Sequence, residues 1–225
     1  FIDRFAMRSV DWRIAVISTD VEDSTRPQWT TCTRNGTAFT LACEFVSPAR
    51  GNFLTRNAGF SYVGCNSSGM CNQADVIGKF KANANLSTMG SGDENGILSL
   101  LLATDAAHLA GPNAGFFRSD SYKAAIIVSD ENEGSLDDGS ANEIAAADAR
   151  IVDINQRMAS LGTGGFGYFF VNDQRATLAN NSDGDGVNQY PAFYNKLAAT
   201  KNSTSLDITV SDWGSQLVSV GDDII

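Results

Sequence analysis

From Trp12 to Asp20 the chain reads WRIAVISTD, a β-branched apolar run that ends in small polar residues. Such runs form buried parallel strands whose carboxyl ends open onto a site. Tyr122–Asp130, YKAAIIVSD, repeats the design, and Phe166–Asn172 supplies a third apolar strand. Helical periodicity fills the intervals. Val76, Ile77 and Phe80 predict a short amphipathic helix over 73–86, and the Gly90–Glu94 loop ends it. A helix over 94–109, apolar on most sides through Ile97, Leu98, Leu100, Leu101 and Leu102, stops at Gly111-Pro112. A longer helix over 141–161 spaces Ile144, Ile151, Ile154, Met158 and Leu161 for one buried face, with Gly162 after it. A loop over 173–189 leads to a helix at 190–199, and a strand at 206–210 and a helix at 211–220 close the chain. Strands separated by helices mean βαβ units. The expected fold class is α/β, a mostly parallel, doubly wound sheet flanked by helices.

One stretch breaks the rhythm. Residues 21–73 lose periodicity, hold Pro27 and Pro48, and carry all four cysteines, Cys32, Cys43, Cys65 and Cys71, among Thr, Asn, Gly and Ser. A zinc site would want paired CxxC spacing or histidine partners, but the single histidine, His108, lies outside the cluster. Two disulfides in an oxidising compartment fit better. Adjacency favours Cys32 with Cys43 and Cys65 with Cys71. The region reads as a stapled insertion in one domain spanning 1–225, leaving the first strand at its carboxyl end.

Charge narrows the partners. Asp and Glu number 26 against 16 Lys and Arg, a net charge of -10 that disfavours nucleic acid. Apolar runs such as 100–103 and 124–128 are far shorter than the roughly 20 residues of a membrane-spanning helix. Asn181, Asp183 and Asp185 sit in NSDGDGVN, which resembles the start of a calcium loop but has Ala192 where its closing acid belongs. Such a stretch also makes a good turn with no ion. The acidic run 131–138 reads as a solvated rim. His108 falls near one face of an apolar helix and reads as a core or edge residue. With no G-x-S-x-G elbow to accompany it, hydrolase chemistry is not expected. Gly162–Gly167 precedes a strand and lacks a lysine, so it reads as a helix-to-strand connection rather than a phosphate loop.

Four segments carry a family resemblance: DWRIAVISTD (11–20), GSGDENGILSLLLA (90–103), YKAAIIVSDENEGS (122–135) and DITVSDWGSQLVSVG (207–221). In this order they resemble bacterial von Willebrand factor type A-like domains of surface proteins and lipoproteins. The resemblance implies an extracytoplasmic ligand-binding or adhesion domain, not an enzyme. A metal-ion-dependent adhesion site would hold Mg2+ or Ca2+, or Mn2+, and leave one position open for a carboxylate of a protein or peptide ligand. Carried over by position, Asp130 matches the aspartate after the fourth strand of the family. Ser91 stands near the family's threonine, with Thr88 the equivalent in another register. Ser91 or Asp93 would serve equally as the cap of the helix from Glu94. The family's Asp-x-Ser-x-Ser motif occurs nowhere in these residues. It would belong upstream of Phe1, where FIDRFAM reads as the end of an amphipathic helix, so the domain is expected to be N-terminally incomplete. A second expectation is a structural subunit of an extracellular or cell-surface assembly, its metal site vestigial.

Overall fold

The computed structural model describes residues 10–19, 32–34, 37–39, 63–65, 72–84, 95–129, 133, 143–172, 193–200, 204–207 and 210–224. Its centre is a parallel sheet of three strands. β5 (Lys123–Ser129), β6 (Phe166–Asn172) and β7 (Thr204–Asp207) pair in that order. Four shorter strands come first: β1 (Trp12–Ile14), β2 (Cys32–Arg34), β3 (Thr37–Phe39) and β4 (Val63–Cys65). The helices are α1 (Gln73–Ala84), α2 (Gly96–Ala103), α3 (Ala106–Ala110), α4 (Glu143–Ser160), α5 (Phe193–Ala199) and α6 (Trp213–Ile224).

Alternation along β6 sorts its side chains onto two faces. Tyr168 and Phe170 join Ala147, Ile151, Ile154 and Met158 of α4, Phe193, Tyr194 and Leu197 of α5, and Ile97 of α2 in one buried cluster. Phe169 and Val171 point the other way and meet Val220 and Leu217 of α6 and Leu206 of β7. Both faces of β6 are thus covered by helices, as a parallel sheet requires. The burial of β5 is one-sided: Lys123, Ala125, Ile127 and Ser129 are buried, whereas Ala124 and Val128 are exposed. Lys123 donates its backbone N–H to Gly165, so the peptide groups of Ala124, Ile126 and Val128 turn away from β6. Among the described residues no strand pairs with that edge.

The first strand departs from expectation. β1 covers only Trp12–Ile14 and pairs antiparallel with β4, Trp12 opposite Cys65, instead of joining the parallel sheet. Trp12, Cys65 and Val76 of α1 form a small cluster of their own, which Ile224 of α6 also touches. The stretch that follows β1 is held by side-chain and backbone bonds, not by a ladder: Ser99 Oγ donates to the Ser18 carbonyl (2.7 Å) and Asn95 N–H to that of Thr19 (3.0 Å). Ion pairing of Arg118 with Asp11, and bonds from Arg13 to the carbonyls of Gly115 and Phe116, fix the pair against the loop before β5.

The cysteine-bearing region also contains more structure than a loop insertion. β2 and β3 form an antiparallel hairpin, Cys32 opposite Phe39, and β4 is the partner of β1. Cys65 is disulfide-bonded and buried, and the side chains of Cys32, Cys43 and Cys71 fall outside the described residues. The helix expected over 94–109 is two helices. Asp105 breaks it, capping α3 by accepting the backbone N–H of His108 at 2.8 Å. The 162–167 segment is the expected helix-to-strand connection, and a Cβ on Gly164 would run into the Ser121 carbonyl.

Candidate functional site

Open parallel sheets gather ligands at the carboxyl ends of their strands, where loops and helix amino ends converge. Here the three strand ends stand in register, Ser129 beside Asn172 beside Asp207, a row of oxygen-bearing residues closing the three strands. Hard oxygen donors of this kind suit Mg2+ or Ca2+. Ser129 is buried and Asp207 half-buried.

The amino end of α2 lies against β5, with Gly96 facing Ile127, two residues before Ser129. A helix leaves its first backbone N–H groups without partners, and α2 meets that need from a distance. Asn95, at the N-cap, does not cap it with its side chain. Glu133 does: its carboxylate accepts Ile97 N–H at 2.7 Å and Leu98 N–H at 3.0 Å, and Tyr194 Oη donates to the same carboxylate at 3.2 Å. Glu133 is 2% exposed. Its negative charge complements the helix dipole, and charged acceptors make the stronger hydrogen bonds. Glycine at position 96 permits the fit, because a Cβ there would come within 2.9 Å of Ile127 Cγ2 and 3.1 Å of Tyr194 Oη. The reading of 131–138 as a solvated rim is therefore corrected at Glu133. An acid inside an acidic run looks solvated in sequence, and only the fold brings two N–H donors and a tyrosine to it.

Four chain segments thus converge on one helix terminus: Ser18 and Thr19 after β1, Asn95 before α2, Glu133 after β5, and Tyr194 of α5. The sequence pattern pointed to two of them, the polar ends of the Trp12 and Tyr122 strands. Glu133, Ser99 and Tyr194 carried no motif. Asp130, the expected cation ligand, follows Ser129 directly but lies outside the described residues, as do Ser91, Thr88, Asn181, Asp183 and Asp185. Among the described residues no three His, Cys, Asp or Glu side chains group as a metal site.

The other end of α2 offers a different surface. An open groove of about 560 Å3 runs between α2, α3 and α4, lined by Leu101, Leu102, Asp105, Asp153 and Arg157 among others. Arg157 reaches the Thr104 carbonyl at 3.0 Å, and His108 Nδ1 lies 2.9 Å from Asp105 Oδ1. The backbone N–H of His108, followed by its ring, holds the Asp105 carboxyl below its ordinary range. Around the sheet, burial lowers the Lys123 ammonium while its Nζ donates to the Ser121 carbonyl at 2.6 Å, and burial raises the Tyr168 phenol, which bonds Asn155 Oδ1. These groups serve packing and capping; the strand ends lie elsewhere. No protein-family model matches the chain, and no curated protein or solved structure matches it. No described helix is long and apolar enough to cross a membrane.

Proposed function

We propose that the chain is an extracytoplasmic ligand-binding or adhesion domain that holds a divalent cation at the carboxyl end of its parallel sheet and performs no covalent chemistry. The observation that carries this reading is the in-register row Ser129, Asn172 and Asp207, continued in sequence by Asp130. Asp130 is the proposed ligand to Mg2+, Ca2+ or Mn2+, with Ser91 or Thr88 adding a hydroxyl. A protein or peptide carboxylate would fill the open position. The resemblance to von Willebrand factor type A-like domains supports the same assignment. Asp183, Asp185 and Asn181 are a separate proposed calcium loop. Titrating the chain with Mn2+ by calorimetry tests the main site: a saturable site that Asp130→Ala abolishes is expected, and its absence at millimolar Mn2+ overturns the reading.

The structural-subunit reading has its own support in the edge of β5. A seven-residue apolar strand whose outer edge is unpaired among the described residues, with Val128 43% exposed, suits pairing with a further strand. A strand there, carrying the Asp-x-Ser-x-Ser motif that these residues lack, would also complete the proposed cation site.

A further inference from the structure

The two walls of the groove between α2, α3 and α4 do not match. One is apolar, made by Leu101 and Leu102 of α2, both partly buried. The other is polar: Asp153, Gln156, Arg157 and Ser160 recur at helical spacing along one side of α4. Packed helices ordinarily close such a gap with apolar side chains from both walls, but here about 560 Å3 stays open. Charge is unbalanced as well. Arg157 stands four residues after Asp153, the spacing of a helical ion pair. It reaches instead for the Thr104 carbonyl at the carboxyl end of α2, 3.0 Å away. Asp105 is engaged too, accepting the backbone N–H of His108 at 2.8 Å with the ring Nδ1 at 2.9 Å. Asp153 is exposed, and no described residue makes a hydrogen bond or ion pair with it. The described lining thus carries two carboxylates against one guanidinium, and one of those carboxylates faces a leucine wall with its charge uncompensated. We propose that this groove receives a lysine side chain presented by a partner protein. Lysine is amphipathic in the sense the groove requires: its aliphatic stem lies along Leu101 and Leu102 while its ammonium reaches Asp153. An ammonium is a compact point charge that a single carboxylate can hold. The groove is open to solvent, whereas sites for free small ligands enclose roughly 70–90% of the ligand surface. An exposed ion pair adds little by itself, so the side chain arrives as one part of a protein contact and not as a free amine. This site is independent of the cation site proposed above.

Backbone amide chemical shifts of the full chain, titrated with the peptide acetyl-Leu-Lys-Leu-amide, test the proposal. Saturable shifts concentrated in 101–105 and 153–160 are expected, with weaker binding of the same peptide carrying norleucine in place of lysine. Asp153→Asn should weaken the lysine peptide by about two- to fivefold and remove its advantage over the norleucine peptide, and Asp153→Lys should abolish binding. Asp153 is exposed, so both variants keep the core, and an unchanged spectrum away from the groove checks that they do. Asp148→Asn is the control: it removes the same charge from the same helix outside the groove lining and leaves the affinity unchanged. The proposal is overturned if millimolar lysine peptide shifts no amide in the groove, if the lysine and norleucine peptides bind equally, or if Asp153→Asn binds as wild type does. Butylammonium binding as tightly as the lysine peptide overturns the assignment to a partner protein and makes the groove a site for small amines.

Discussion

The parallel sheet and the β1–β4 pair solve the same burial problem with unequal means. The β5–β6–β7 sheet buries twelve residues in one face cluster and stacks further apolar side chains on the other. The β1–β4 pair has three residues per strand and a cluster of three buried residues, one of them the disulfide-bonded Cys65. A two-stranded antiparallel ribbon is marginal by itself. It persists here because α1 packs on it, Ile224 of α6 reaches it, and Arg13 and Arg118 bind it to the body. Parallel strands, by contrast, are joined by helical crossovers, and each crossover brings its own apolar face to the sheet. Connectivity supplies the larger core with its cover, whereas the smaller one depends on staples.

The comparison breaks most visibly at Phe170. It is 1% exposed, with ring centroids of Tyr168 and Tyr194 at 6.2 and 5.3 Å. Phe170→Ala should cost about 3–5 kcal/mol, read as a lowered urea midpoint. Val76 of α1 is the matching probe of the smaller cluster. Loss of its two methyls should cost about 1.5 kcal/mol, and amide exchange should rise first in α1 and β4. If Val76→Ala destabilises the chain as much as Phe170→Ala, the two clusters form one cooperative core and the contrast drawn above is wrong.

The smallest effect sharpens the comparison at a helix end. Asp105→Ala should cost about 1 kcal/mol by removing the cap of α3. The folded carboxyl lies below its ordinary value of 3.8, so the cap stabilises fully above that pH and is lost as pH falls through the lowered value. Thermal melts of wild type and Asp105→Ala should therefore differ at neutral pH and converge in acid below 3.8. A constant difference down to the acid limb would assign the effect to lost packing instead of the carboxylate.

Much of the larger half was legible in the sequence. The apolar runs at 123–129 and 166–172 and the spacing of Ile151, Ile154 and Met158 define strands and a helix, because burial on one or both faces imposes a period on the chain. Asn35-Gly36, between β2 and β3, is a hairpin signal that the cysteine-rich composition obscured. Asp105 was likewise a readable cap inside what looked like one continuous apolar helix.

What a one-dimensional pattern could not carry is pairing between distant residues. WRIAVI is as apolar as a parallel strand, yet the partner of Trp12 is Cys65, more than fifty positions away and running the opposite direction. An isolated apolar run specifies only that it be buried, not which edge it meets. Glu133 is the same case in electrostatics. Its sequence neighbours are acidic and its natural reading is a solvated rim. Its environment was decided by helix α2, thirty-six residues earlier, and by Tyr194, sixty-one residues later. Only folding brings those donors together, and only there does a buried carboxylate find enough hydrogen bonds to offset its lost water. The sequence by itself determined where the apolar strands and helices lie; the tertiary structure decided which of their polar ends meet.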